Sequence, residues 1–104
     1  MHFYPCKITV INKSYNAVLS DQYLKPPHTM KLCNVLEENQ TFMVENPYIM
    51  PENMCASAWA DIRPYIITMA TGGKFDFMKD TNVTVAICSD PFRPVTFEIK
   101  RVIL

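Results

Sequence analysis

The chain has 104 residues, of which 49% are apolar and 19% charged, and its ten acidic side chains balance its ten basic ones. This composition excludes an intrinsically disordered chain and predicts a single domain over residues 1–104, built around one hydrophobic core. The basic residues are scattered singly apart from Lys100 and Arg101, so no basic stripe follows a phosphate backbone and we expect no nucleic-acid partner.

The N-terminal sequence MHFYPCKITV lacks the basic start and the apolar run of a secretory signal, which favours a cytoplasmic protein. No apolar run approaches the roughly 20 residues that cross a bilayer, so we expect no membrane insertion. The four cysteines are expected to be free thiols in a reducing cytosol. The many methionines and aromatic residues predict that part of the apolar surface is covered in a homo-oligomer.

The first two elements are predicted over residues 6–24. The sequence CKITVINK alternates in the two-residue period of a strand, with Cys6, Ile8 and Val10 on one face. The sequence SYNAVLSDQYL predicts a helix with Ser14 as its N-cap, ended before the Pro-Pro pair that follows. Its weak apolar stripe consists of Ala17, Val18 and Leu24.

A long connection and a central helix follow. Residues 25–40 have the composition of an extended connection, which holds His28 and Cys33, and QTFMVEN predicts a short strand. In CASAWADIRPYIITMATGG, residues 55–73, apolar side chains recur at steps of three and four and predict one buried helical face. That face comprises Cys55, Trp59, Ile62, Ile66 and Met69.

The ends of the central helix are also predicted. Asn53 is the expected cap, which puts Cys55 in the first turn, where unpaired backbone N–H groups favour a reactive thiolate. Pro64 removes a backbone hydrogen bond, so we expect a kink there. Gly72 and Gly73 supply the positive φ angle that commonly ends a helix.

The C-terminal third predicts a hairpin. An aromatic loop, FDFM, precedes NVTVAICS and PVTFEIKRVI, which both alternate as strands and are joined by the turn DPFRP. The elements therefore follow the order β-α-β-α-β-β. This order predicts an α+β domain with a mainly antiparallel sheet and two helices.

Three motifs, CASAWADI, GGKF and AICSDPFRPVTFEIKRV, resemble the signature of a small bacterial protein family of uncharacterised activity, C-x-W-A-W-x-D-I, then G-G-x-F, then C-x-D-G-x-R-P-V. The resemblance implies a shared fold and motif but no established activity. Pro91 and Pro64 depart from the family pattern, the first by replacing a glycine. The resemblance extends from CKITV at the N-terminus through LCNVLEENQTFMVE, which is similar to the family's C-P-x-F-K-x-G-x-x-F. The signature falls on Cys6, Cys33, Cys55, Trp59, Asp61, Gly72, Gly73, Phe75, Cys88, Asp90, Arg93 and Pro94.

The candidate site residues combine thiols, carboxylates and a guanidinium. As catalytic candidates we take those whose side chains can act as nucleophile, acid or base, and as substrate-binding candidates those that can stack on a ligand or hold an anion. The catalytic set is Cys55, Asp61, Cys88 and Asp90, and the binding set is Trp59, Phe75 and Arg93.

Each candidate also has a structural interpretation. Trp59 is most simply a core anchor, and Asp61 a solvated carboxylate or a local hydrogen-bond acceptor. Arg93 can pair with Asp90 across a tight turn, and the cysteines can be inert buried thiols.

Cofactor signals are missing from the sequence. Neither G-x-G-x-x-G nor a phosphate loop is present, and two glycines could hardly build one, so we expect no cofactor. A metal site would require the cysteines to converge, because no C-x-x-C pair supplies local zinc-ligand spacing.

Two classes of function remain. The first is an enzyme that acts without a cofactor on a small organic molecule in an apolar pocket, as a lyase, isomerase or hydrolase. The second is a non-catalytic module that binds a ligand or a protein, with a cysteine-ligated metal protein as a further alternative. Titratable groups facing the pocket indicate catalysis, whereas a lining of Trp59, Phe75, Phe77 and Met78 indicates binding.

Overall fold

The computed structural model, which describes residues 2–103, has the six elements in the predicted order. They are β1 (Cys6–Lys13), α1 (Ala17–Tyr23), β2 (Thr41–Val44), α2 (Ala56–Ala70), β3 (Val83–Ile87) and β4 (Val95–Arg101). The four strands form one sheet in the order β2-β1-β4-β3, and all neighbouring strands are antiparallel. The predicted α+β class and element order are confirmed. In the described part of the chain, neither helix is long and apolar enough to cross a membrane.

The core lies between one face of the sheet and helix α2. The strands bury alternate residues, and Ile8, Val10, Phe97 and Ile99 are fully buried beneath the helix. The predicted apolar face of α2 is confirmed: Trp59, Ile62, Ile66 and Met69 are buried, and Cys55 is half-buried at its start. This packing fixes which end of the helix lies beside which strand end.

Helix α2 runs unbroken through Pro64. Proline cannot donate to the carbonyl of Ala60, but both residues are exposed, so water can reach that carbonyl.

Helix α2 ends as predicted at the two glycines. Gly72 has a φ of 90° and donates to the Met69 carbonyl, while Gly73 donates to the Thr68 carbonyl at 2.8 Å.

The predicted N-caps of both helices are wrong. Asn53 has a φ of 67° and lies in a turn, so the cap of α2 is Cys55 rather than a residue before it. Helix α1 is capped by Asn16, whose Oδ1 accepts from Leu19 N–H at 3.0 Å. It starts later than predicted because the N–H groups of Ser14 and Asn16 still donate to carbonyls in the turn before β4.

The predicted apolar stripe of α1 is also wrong. Val18 is 75% exposed, and the one buried residue of this helix is Ser20, whose hydroxyl donates to the Asn16 carbonyl at 2.8 Å. A satisfied hydroxyl can be buried at low cost, so a helix of two turns does not need an apolar stripe.

A bulge in β1 redirects the end of that strand. The register with β4 shifts between Val10 and Asn12, so Ile11 is the extra residue and Lys13 lies opposite the buried Val95. The Lys13 ammonium then donates to the carbonyls of Cys33 and Leu36 at 2.7 and 2.8 Å. The bulge thereby ties the connection between α1 and β2 to the sheet.

Candidate functional site

A cavity of about 390 Å³ opens where helix α2 begins, where β3 ends and where β4 starts. The segment that Lys13 holds closes its remaining side. We call it the thiol cavity, because three of the four cysteines line it. Its lining comprises Cys33, Val35, Leu36, Cys55, Ser57, Ala58, Asp61, Cys88, Ser89, Asp90, Arg93 and Val95.

Five of the seven candidate residues meet in the thiol cavity, namely Cys55, Asp61, Cys88, Asp90 and Arg93. The other two lie elsewhere. Trp59 is buried in the core, and Phe75 lies beyond the far end of α2, where its ring packs against Tyr65 and Phe77 at centroid distances of 5.8 and 6.0 Å. The residues that come together are therefore those with titratable or charged side chains.

Cys88 follows β3 and is held by the first residue of β4. Its N–H donates to the Val95 carbonyl at 3.0 Å, and the Val95 N–H donates to the Cys88 Sγ at 3.2 Å. The thiol thus takes the place of a backbone acceptor in the last rung of the hairpin. This pairing fixes the sulfur at the wall of the cavity.

Cys55 lies at the N-cap position of α2, one residue before the predicted first turn. In the part of the chain that the structure describes, its side chain makes no capping hydrogen bond, and its carbonyl accepts the first helical bond from Trp59 N–H at 2.9 Å. The thiol is half-buried and lines the cavity beside the start of the helix.

Asp61 joins the helix to the hairpin. Its Oδ2 accepts from the Ser89 N–H at 2.8 Å, across 28 positions of the chain. Within residues 2–103 its Oδ1 has no hydrogen-bond partner. The carboxylate is therefore oriented through one oxygen and leaves the other available.

Asp90 organises the turn before β4. Its Oδ1 accepts from the N–H groups of Phe92 and Arg93 at 2.9 and 3.0 Å, and its Oδ2 accepts from the Arg93 Nε at 3.3 Å. Desolvation raises the pKa of this carboxyl, but these hydrogen bonds and the Arg93 charge outweigh it and hold the pKa below its usual value. The predicted pairing of Asp90 with Arg93 is present.

Cys33 was not among the candidate site residues. It lies in the connection between α1 and β2, where no strand or helix pattern predicts the position of a side chain. It reaches the cavity because the Lys13 ammonium donates a hydrogen bond to its carbonyl. Ser89 and Val95 were also missed, because they act through backbone N–H groups that any residue type provides.

The fourth cysteine, Cys6, is fully buried in β1, away from the cavity. Burial raises the pKa of its thiol from 9.0 to about 11, although the nearby charge of Arg101 lowers it in part. All four cysteines are free thiols. Over residues 2–103, no three His, Cys, Asp or Glu side chains are grouped so that they could hold a metal ion.

Comparison with protein-family models, with curated proteins and with solved structures gave no match to this chain. The resemblance to the bacterial family signature stays a prediction.

Proposed function

We propose that this protein is a small enzyme that acts, without a cofactor, on a small organic molecule carrying an anionic group. The substrate binds in the thiol cavity, and the reaction is of the lyase, isomerase or hydrolase class. A thiol and a carboxylate supply the nucleophile and the proton donor or acceptor.

The composition of the cavity wall carries this proposal. It contains three thiols, two carboxylates and one guanidinium, and none of Trp59, Phe75, Phe77 and Met78. A volume of about 390 Å³ falls within the range of small-molecule sites. A cavity built for binding alone needs few titratable groups, so this lining favours chemistry over sequestration.

The hydrogen bonds suggest how the roles divide. Cys88 is the better positioned nucleophile, because the Val95 N–H holds its sulfur, and Cys55 is the second candidate. Asp61 is the better proton carrier, because one of its oxygens is oriented by Ser89 and the other is free within residues 2–103. Asp90 accepts three hydrogen bonds, which suits a positioning residue that holds Arg93.

Arg93 supplies the anion preference. Asp90 engages its Nε, which leaves the terminal nitrogens of the guanidinium for a ligand. These nitrogens bind carboxylate and phosphate groups in a two-point geometry that lysine cannot reproduce.

A non-catalytic interaction module is the second candidate. One observation favours it: the rings of Tyr65, Phe75 and Phe77 form a row on the surface, and Phe77 is 83% exposed. Such a row is suited to covering by a protein surface, including a second copy of this chain. Light scattering tests the homo-oligomer, and a species of 12 kDa alone would contradict it.

Thiol reactivity separates the two candidates. The alkylation rate of each cysteine by iodoacetamide is measured by mass spectrometry in the native protein and in the urea-unfolded chain. An enzyme nucleophile reacts faster in the folded protein than in the unfolded chain despite its partial burial. We expect this at Cys88 or Cys55, and the reverse at the buried Cys6, which serves as the internal control. If all four thiols react more slowly when folded, the catalytic proposal is wrong.

A further inference from the structure

Arg93 also lines a second cavity, of about 460 Å³. The rest of its wall comes from the connection between α1 and β2, including His28, Lys31 and Asn34. Three of its lining side chains are basic and none carries a carboxylate. This concentration stands out in a chain whose net charge is zero.

The guanidinium of Arg93 has donors to offer there. Its Nε donates to Asp90, and its terminal nitrogens donate no hydrogen bond to any residue between positions 2 and 103. A half-buried guanidinium with unused N–H groups, facing a cavity, is a ready partner for an oxyanion.

His28 lines the same cavity. Its Nε2 lies 3.2 Å from the Asp21 carboxylate, which orients the ring. Its Nδ1 is buried and has no hydrogen-bond partner in the described part of the chain. Buried polar atoms without a partner are rare. When the Nε2–H of a neutral ring donates to Asp21, Nδ1 is an acceptor, so its partner from outside the chain is a donor such as a water molecule or the hydroxyl of a hydrogen phosphate group.

We propose that this second cavity binds an oxyanion, the phosphate or carboxylate group of a small molecule, between Arg93, Lys31 and His28. The terminal nitrogens of Arg93 and the Lys31 ammonium supply the charge, and the His28 ring lies beside the bound group. Arg93 lines both cavities, so this inference shares that residue with the proposed function, but it does not depend on thiol chemistry in the neighbouring cavity.

The chain has two histidines, His2 and His28, so NMR of the imidazole Cε1–H groups reports on the site with an internal control. Inorganic phosphate and acetate are titrated separately at fixed pH and fixed ionic strength. We expect a saturable shift of the His28 signal with at least one of them and no saturable shift of His2. The tighter binder identifies the oxyanion class.

Variants test the assignment. Lys31→Gln and Arg93→Gln should each weaken binding by at least about fivefold, because each removes a charged donor. Lys25→Gln is the matched control, because Lys25 is exposed on the same connection but does not line the cavity. The proposal is overturned if neither anion gives a saturable shift of His28, or if Lys25→Gln weakens binding as much as Lys31→Gln. Lys31 is exposed, so its variant keeps the test available if Arg93→Gln does not fold.

Discussion

The two ends of helix α2 each face an arginine of the last strand or of the turn before it. At the C-terminal end, Arg101 is buried and uses all five N–H donors, on the carbonyls of Met69, Gly73 and Thr81 and on the Asn82 side chain. At the N-terminal end, the Arg93 side chain makes one hydrogen bond among the described residues 2–103, from its Nε to Asp90.

This difference indicates that Arg101 stabilises the fold, whereas Arg93 has donors left for a functional role. Arg101 places a positive charge on the carbonyl end of the helix, where the helix dipole favours it, and every donor is satisfied. The other end of α2 is left open, since Cys55 caps the helix without a side-chain hydrogen bond and the thiol cavity begins there. We therefore expect changes at the Arg101 end to alter stability and changes at the Arg93 end to alter reactivity.

The largest expected effect comes from Arg101→Lys. Lysine keeps the charge but cannot reach carbonyls on two segments at once, so buried acceptors lose their partners, at a cost of about 3 kcal/mol. Urea unfolding measures this free energy. Arg93→Lys is the matched control, and we expect it to cost at most about 1 kcal/mol because that pair is partly exposed. Equal costs for the two substitutions would contradict the comparison.

The second largest expected loss of stability comes from a substitution at Gly73, which follows helix α2. A Cβ on Gly73 would lie 2.8 Å from the Thr68 Cγ2 and 3.0 Å from its carbonyl oxygen. Gly73→Ala should therefore cost about 2 kcal/mol and lower Tm by roughly 10 °C. Adding Thr68→Ser removes the methyl group and should restore part of the loss. A Tm unchanged by Gly73→Ala would show that this end of the helix is not tightly closed.

The dependence of the free energy of unfolding on alkaline pH tests the raised pKa of the buried Cys6 thiol. The pKa of Cys6 is raised to about 11 in the folded state, so its contribution is complete below pH 9.0 and is lost as the pH rises towards 11. The loss amounts to about 2 kcal/mol. The free energy of unfolding of Cys6→Ala should fall less steeply over this range than that of wild type. Parallel curves for wild type and Cys6→Ala would contradict this assignment.

The smallest effect is at acid pH. The folded-state pKa of Asp90 is below 3.8, so its contribution to stability is present above that pH and is lost as the pH falls through the folded value. The Tm difference between wild type and Asp90→Asn should therefore be present at pH 6 and shrink below pH 4. A difference that stays constant across this range would mean that Asp90 does not stabilise the turn through its charge.

Local patterns predicted most of the fold. A strand or helix that buries one face repeats apolar residues at a fixed spacing, so the pattern can be read from the sequence. This holds for the alternation of Cys6, Ile8 and Val10 and for the three-four spacing from Trp59 to Met69. The cap of α1 escaped prediction because Asn16 and Ser14 are equally suitable cap residues. The choice between them depends on hydrogen bonds to the turn before β4.

The candidate site could be predicted only in part. The motif around Cys88, Asp90 and Arg93 is continuous in sequence, so its residues meet wherever the hairpin forms. Cys33 and the Ser89 N–H join the site through long-range contacts, one of which depends on the bulge at Ile11. A bulge has no signal in a strand of alternating residues.

We expect Arg93 to make the start of α2 an anion-selective reactive site. The most direct test is the ratio of the alkylation rates at Cys88 by iodoacetate, which is charged, and by iodoacetamide, which is neutral. We expect Arg93→Gln to lower this ratio by at least about threefold, because the guanidinium no longer attracts the carboxylate. Arg63→Gln, which changes an arginine outside the cavity, should leave the ratio at its wild-type value. The same ratio in wild type and both variants would contradict this role of Arg93.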